Sequence, residues 1–172
     1  RIRLWPFLSF VAVLTAVIYP IQGAWTWGGG WLAGLGFADF AGSTIVHSVG
    51  GWAALTGALV LGARQAKYDA TSGKIRLLPP SSLPLATLGT FILWLGWFGF
   101  NGGSQLALGS AGDAIAMANI YANTGMAAAG GVLVATLATQ LLFRKVDLTM
   151  VLNGALAGLV SITAGTGTMS FA

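Results

Sequence analysis

Cysteine is absent from all 172 residues, so neither a disulfide nor a thiolate metal site can form. Histidine occurs once, as His47, and acids only four times, as Asp39, Asp69, Asp113 and Asp147. A metal ion needs several ligands close together, and these residues are scattered along the chain. Ser43 lies one helical turn before His47, but no nucleophile turn surrounds it, so a serine–histidine–acid hydrolase is not indicated. Charged residues are scarce at 7%, whereas soluble domains carry about 25%. That scarcity excludes an ordinary soluble fold. The expectation is of a protein that is not an enzyme and uses neither metal nor cofactor.

What fills the chain instead is apolar: 56% hydrophobic residues and a mean hydropathy of +0.81. Glycine reaches 26 residues without a Gly-X-Y period, which excludes collagen and suits helices that approach closely in a bilayer. An all-α fold follows, a polytopic transmembrane helical bundle set in lipid. Five apolar stretches read as spans, at about 4–22, 42–62, 83–101, 118–143 and 148–165, close to the ~20 residues a crossing needs. Pro6 and Pro84 sit in first turns, where proline is tolerated; Ser81 or Ser82 can cap the third span and Asp147 the fifth. The connector Gly23–Ala41 looks too glycine-rich for a regular helix, and its Trp25, Trp27 and Trp31 suit the membrane interface. The chain opens on Arg1 and stops at Ala172 within an apolar stretch. Residues 1–172 are therefore expected to be one partial domain, an internal piece of a longer protein.

The eight Lys and Arg residues orient the spans. They are Arg1 and Arg3, then Arg64, Lys67, Lys74 and Arg76, then Arg144 and Lys145, while the connectors Gly23–Ala41 and Gly102–Asp113 hold none. Basic loops stay on the cytoplasmic side. This predicts alternating crossings with the loops Arg64–Ser82 and Arg144–Asp147 in the cytoplasm and the glycine-rich connectors outside. The net charge of +4 is thereby accounted for without a nucleic-acid partner.

An ionisable side chain inside an apolar span costs roughly 2.5–3.5 kcal/mol on insertion scales, so its presence marks a site. Asp39 precedes the turns FAGST, where its carboxylate can accept the free N–H groups of a helix start. As an outward-facing acid it can also draw cations, and the two roles are compatible. His47 lies eight residues on, roughly 12 Å deeper at the rise of a helix. It is read either as a hydrogen-bonding link between helices or as part of a site. Gly50, Ala54, Ala58 and Gly62 recur at every fourth position, and Gly154 with Gly158 makes a similar pair; both sets are expected to be packing faces, with Asn153 bonding across helices. Trp94, Trp97, Phe98 and Phe100 lead into Ser104 at the outer end of the third span. An aromatic belt accounts for the rings alone. Alternatively Phe100 and Ser104, one turn apart, can hold a small cation together with Trp27: an aromatic face attracts cations by roughly 0.5–2 kcal/mol, and a serine oxygen accepts from N–H donors.

The stretch DFAGSTIVHSVGGWAALTGALVLGAR, with WGGGWL before it, resembles the signature of the ammonium transporter family, the Amt/MEP/Rh proteins. LGWFGFNGGS and DLTMVLNGALAGLVSITAG resemble two further blocks of that family, in the same order. WGGGW and FGFNGGS are nearer the Amt/MEP branch. The VGG after His47–Ser48 departs from the more usual Asn-Ala, which bears on packing rather than on the site side chains.

The resemblance implies an eleven-helix protomer in a homotrimer, with inverted five-helix halves and a pore in each protomer. This chain would supply the fourth to eighth helices. It also implies that Trp27, Phe100 and Ser104 form an outer recruitment site, Phe100 being the inner of two gate rings. Asp39 becomes the acid near that site, with a structural and electrostatic role. His47 becomes the first of two pore histidines, the second histidine and the outer gate ring lying outside this chain. The implied function is transmembrane ammonium transport: ammonium is recruited, loses its proton, and ammonia crosses a hydrophobic, histidine-lined pore. An unpaired ion would be costly in that medium, and an imidazole, which titrates near pH ~6.5 in water, suits proton exchange. Implied partners are ammonium or ammonia, the lipid of a cell (plasma or inner) membrane, and a PII-type regulatory protein on the cytoplasmic face. Two alternatives stay open: an ammonium sensor whose membrane domain is fused to a signalling output, and an Rh-like gas channel.

Overall fold

The computed structural model describes residues 2–64, 67–69, 72–76 and 78–169; Arg1, one of the basic residues used to orient the chain, lies outside them. The described residues form α1 (Leu4–Ala24), α2 (Trp31–Gly34), α3 (Ser43–Leu61), α4 (Leu83–Gly103), α5 (Ala111–Phe143) and α6 (Leu148–Ile162). Among them the only extended pairing is an isolated bridge between Tyr68 and Ile75. The chain is all-α. Four helices, α1, α3, α4 and α5, are long and apolar enough to cross a membrane, and α6 is a shorter apolar helix.

Local chemistry sets most helix ends. Ser82 Oγ accepts the Leu85 N–H at 3.3 Å, with Pro84 in the first turn of α4. Asp147 accepts the N–H groups of Thr149 and Met150 at the start of α6. Other ends differ from expectation. α4 runs on to Gly103, two residues past the expected Asn101. α5 begins at Ala111 rather than near 118, because Ser110 and Asp113 cap each other: the Ser110 hydroxyl accepts the Asp113 N–H, and the Asp113 carboxylate accepts the Ser110 N–H. Its 33 residues rise about 50 Å, well beyond the ~30 Å of hydrocarbon. α6 stops at Ile162, short of Gly165, and the chain continues in turns closed by Gly165 N–H to the Ile162 carbonyl and Thr168 N–H to the Gly165 carbonyl. The Trp-rich connector also holds one helical turn, α2, whose Leu32 and Ala33 N–H groups both bond the Trp25 carbonyl.

The chain divides into two compact units: Arg1–Ala38 with Thr44–Ser81, and Asp39–Ser43 with Ser82–Ala172. In the first, α1 becomes π-helical over Leu14–Ile18, just ahead of Pro20. Proline has no N–H to return to the carbonyl four residues back, which loosens the preceding turn. Gln22 Nε2 donates to the carbonyl of buried Ile45 at 2.9 Å and ties the end of α1 to α3. The stripe Gly50, Ala54, Ala58 on α3 is exposed, and a Cβ on Gly50 would meet nothing within 4 Å. Nothing among the described residues packs on this face; Gly62 lies beyond the helix with φ 72°, a conformation suited to glycine.

The second unit has the tighter core. Ile120, Ala128, Ala155 and Leu159 are buried between α5 and α6. The glycine pair behaves as expected. A Cβ on Gly158 would land on the Ala127 carbonyl and one on Gly131 on the Gly154 carbonyl, so the two backbones touch. Asn153 instead donates to the Thr149 carbonyl of its own helix, at 2.9 Å, and is not a cross-helix link. α4 joins through Phe98, edge-on to Tyr121 with ring centroids 5.7 Å apart.

Candidate functional site

Asp39 is 4% exposed, and its carboxylate oxygen accepts the N–H groups of Gly42 (3.1 Å) and Ser43 (2.9 Å). It caps the start of α3, as its place before FAGST suggested. Gly42 has φ 108°, which frees the chain to fold its N–H back onto the carboxylate. The positive end of a helix favours an anion there. The loop is itself pinned: Phe40 N–H bonds the Ala164 carbonyl at 2.9 Å and Ala41 N–H the Thr163 carbonyl at 3.0 Å.

His47 sits half-buried in the opening turn of α3, which is π-helical over Ser43–Ser48. A π turn leaves one residue out of register, and such turns recur at functional positions. His47 and Trp27 belong to the first unit; Asp39, Phe100 and Ser104 belong to the second. Trp27 is 50% exposed on the turn that follows α1, its N–H bonded to the Gly23 carbonyl at 2.9 Å. The glycines after it are needed by close approach, since a Cβ on Gly28 or Gly30 would fall within 2.8 Å of the Ala24 carbonyl.

Phe100 and Ser104 are brought together at the end of α4. The Phe100 ring is 40% exposed and packs at 56° on Trp97, centroids 6.2 Å apart. The Ser104 hydroxyl donates to the Phe100 carbonyl at 2.9 Å. With its proton committed there, the oxygen's lone pairs remain acceptors. An exposed ring and an oxygen acceptor one helical turn apart supply the two kinds of group that suit a small cation carrying N–H donors.

Sequence reasoning passed over the polar residues behind these groups. Trp97 Nε1 donates to Thr163 Oγ at 2.9 Å, Asn101 Nδ2 to Thr124 Oγ at 3.0 Å, and Asn123 Nδ2 to the Thr166 carbonyl at 2.7 Å. Asn101, Asn123, Thr124, Thr163 and Thr166 are all buried. The signal was present: the TAGTGT run ends an otherwise apolar span, and hydroxyls buried there need partners. Among the described residues no group of three or more His, Cys, Asp or Glu side chains is arranged for a metal ion.

Apolar helices of crossing length around a few buried polar groups define an integral membrane protein of the helical class. The chain belongs to the Ammonium Transporter Family, whose profile matches residues 1–172. It is 47% identical, over 92% of its length, to the ammonium transporter Amt2 of Archaeoglobus fulgidus, and 39% identical over 97% to an ammonium transporter of Bacillus subtilis. It covers 35% and 38% of those two proteins. Its fold superposes on a solved Sensor Amt Protein with TM-score 0.84 at 42% identity, covering 92% of this chain and 40% of that one. Mep2 of Candida albicans gives 0.82 at 38%, covering 95% and 35%. The chain is thus part of the ammonium transporter fold and spans well under half the length of these relatives.

Proposed function

We propose that the protein to which this chain belongs carries ammonium across a cell membrane as a homotrimer, the 172 residues forming one partial transport domain. The loops Arg64–Ser82 and Arg144–Asp147 face the cytoplasm, where a PII-type regulator can reach them. Ammonium is drawn to the outer side by Asp39, and Trp27, Phe100 and the acceptor oxygen of Ser104 are its recruitment residues. There it hands its proton to water of the outer medium, since the ion itself would face a large desolvation cost in the apolar pore. Ammonia passes inward along His47, whose imidazole exchanges hydrogen bonds with it and repeats the contact with a second histidine elsewhere in the protein.

The observation that carries this reading is the buried Asp39 cap at the head of the very helix that bears the lone histidine, in a chain of this family. Methylammonium uptake by the full-length protein tests it. His47→Ala and Trp27→Leu are each expected to lower uptake about tenfold or more, the scale of a lost cation–ring contact or pore hydrogen bond. Unchanged uptake in both variants would remove the mechanism.

The likeness to a Sensor Amt Protein favours a second reading, in which the same membrane domain binds ammonium and drives a signalling output. A signalling domain fused to the full-length protein, with binding but little flux, would select it over transport.

A further inference from the structure

Thr163 is fully buried just past the end of α6 and bonds groups on α4, on α6 and in the loop before α3. Its hydroxyl donates to the Leu159 carbonyl at 2.7 Å and accepts the Trp97 indole N–H at 2.9 Å, with Asn101 Oδ1 3.2 Å away. The single hydroxyl proton goes to the shorter contact, which turns a lone pair toward the indole. Trp97, so oriented, is the ring on which Phe100 packs. Through its main chain, the same residue accepts the Ala41 N–H and holds the loop that Asp39 opens. One residue therefore links the ring that supports Phe100 to the loop that begins at Asp39.

A bond to the carbonyl four residues back would satisfy the hydroxyl alone. Valine would fill the same volume with no polar group to bury. The indole bond is thus an additional, directional use of the oxygen. We propose that Thr163 is a positioning residue for ammonium recruitment, setting the Phe100 ring through Trp97 and tying that ring to the Asp39 loop. This rests on the assignment of Phe100 and Trp27 to the outer site.

The test is methylammonium uptake by the full-length protein, read as KM and Vmax separately. Thr163→Val is expected to raise KM about fivefold while Vmax stays within about twofold, the scale of one lost neutral hydrogen bond. Thr163→Ser, which keeps the hydroxyl, is expected to restore the wild-type KM. Trp97→Phe is expected to raise KM alike, and the double variant to add nothing further, since both remove one interaction. A wild-type KM in Thr163→Val, with KM raised by Phe100→Ala, overturns the proposal and leaves the outer site standing. Equal impairment in Thr163→Ser and Thr163→Val overturns it also, because packing would then be the cause. Should Thr163→Val fail to fold, Trp97→Phe decides: a raised KM supports the link and a wild-type KM overturns it. If Phe100→Ala and Trp27→Leu leave KM unchanged too, the outer-site assignment itself falls.

Discussion

Two stripes of small residues in this chain carry the same signature and meet different fates. On α6, Gly154 and Gly158 lie against Gly131, Ala127 and Ala135 of α5, so closely that no Cβ could be added. On α3, Gly50, Ala54 and Ala58 repeat at the same interval and stand open. Spacing therefore states that a helix face can be approached; it does not state by what. What distinguishes the α5–α6 seam is reciprocity, small residues on both helices at matching heights. The α3 stripe has no such partner among the described residues.

The seam should be the more fragile of the two. Gly158→Ala places a methyl on the Ala127 carbonyl, and backbone on both sides must separate to admit it. Overpacking of this kind costs about 2–3 kcal/mol, so the thermal midpoint of the purified full-length protein should fall clearly. Gly50→Ala meets open space and replaces a helical glycine, so its effect should stay within about 0.5 kcal/mol. A comparable loss in Gly50→Ala would break the contrast and show that the α3 face is covered in the complete protein.

Gly102 provides the intermediate case. A Cβ there would come within 2.5 Å of Tyr121 Cε1 and 3.1 Å of Met117 Sδ. These are side chains rather than backbone, and they can swing at moderate cost. Gly102→Ala should destabilise by about 1–2 kcal/mol, and Gly102→Ala combined with Tyr121→Phe should change little, because ring carbon rather than hydroxyl makes the nearest contact. Recovery in Gly102→Ala with Tyr121→Ala would confirm that contact as the cause; no recovery would place the strain elsewhere.

How much of this was legible in advance depended on whether the cause was local. The caps at Ser82 and Asp147 follow from a side chain bonding a backbone N–H two or three residues on, and Asp39 before FAGST follows the same rule. The start of α5 was missed because its capping box uses Asp113 where the familiar pattern has Glu or Gln. Of the residues proposed for the site, His47 stood out as an ionisable group inside an apolar span, whereas Trp27, Phe100 and Ser104 were singled out chiefly by the family resemblance. Their supports were not. Thr163, Thr124 and Asn101 bond across 23 to 66 residues of sequence, and no local pattern reports a partner that distant. The face of α3 follows the same rule: its neighbour, not its own sequence, decides whether it packs.

The smallest effect concerns the first turn of α6, one wall of the seam. The Asp147 carboxyl is held below its ordinary value of 3.8, chiefly by the Thr149 hydroxyl and then by the Met150 N–H, against a small opposing cost of desolvation. A carboxylate whose folded pKa is depressed stabilises the fold above its unfolded pKa, and that support is lost as pH falls through the lower folded value. The seam should therefore be unaffected by pH near neutrality and weaken only as the medium falls below about pH 4. Asp147→Asn keeps an acceptor oxygen for the cap but cannot titrate. The thermal midpoint of the wild type should consequently drop further than that of Asp147→Asn between about pH 5 and about pH 3. The group is solvent-exposed and readily screened, so the gap should also narrow in high salt. Parallel curves for the two proteins would mean that the carboxylate's charge contributes nothing to the seam, which then rests on its glycine contacts and buried apolar side chains alone.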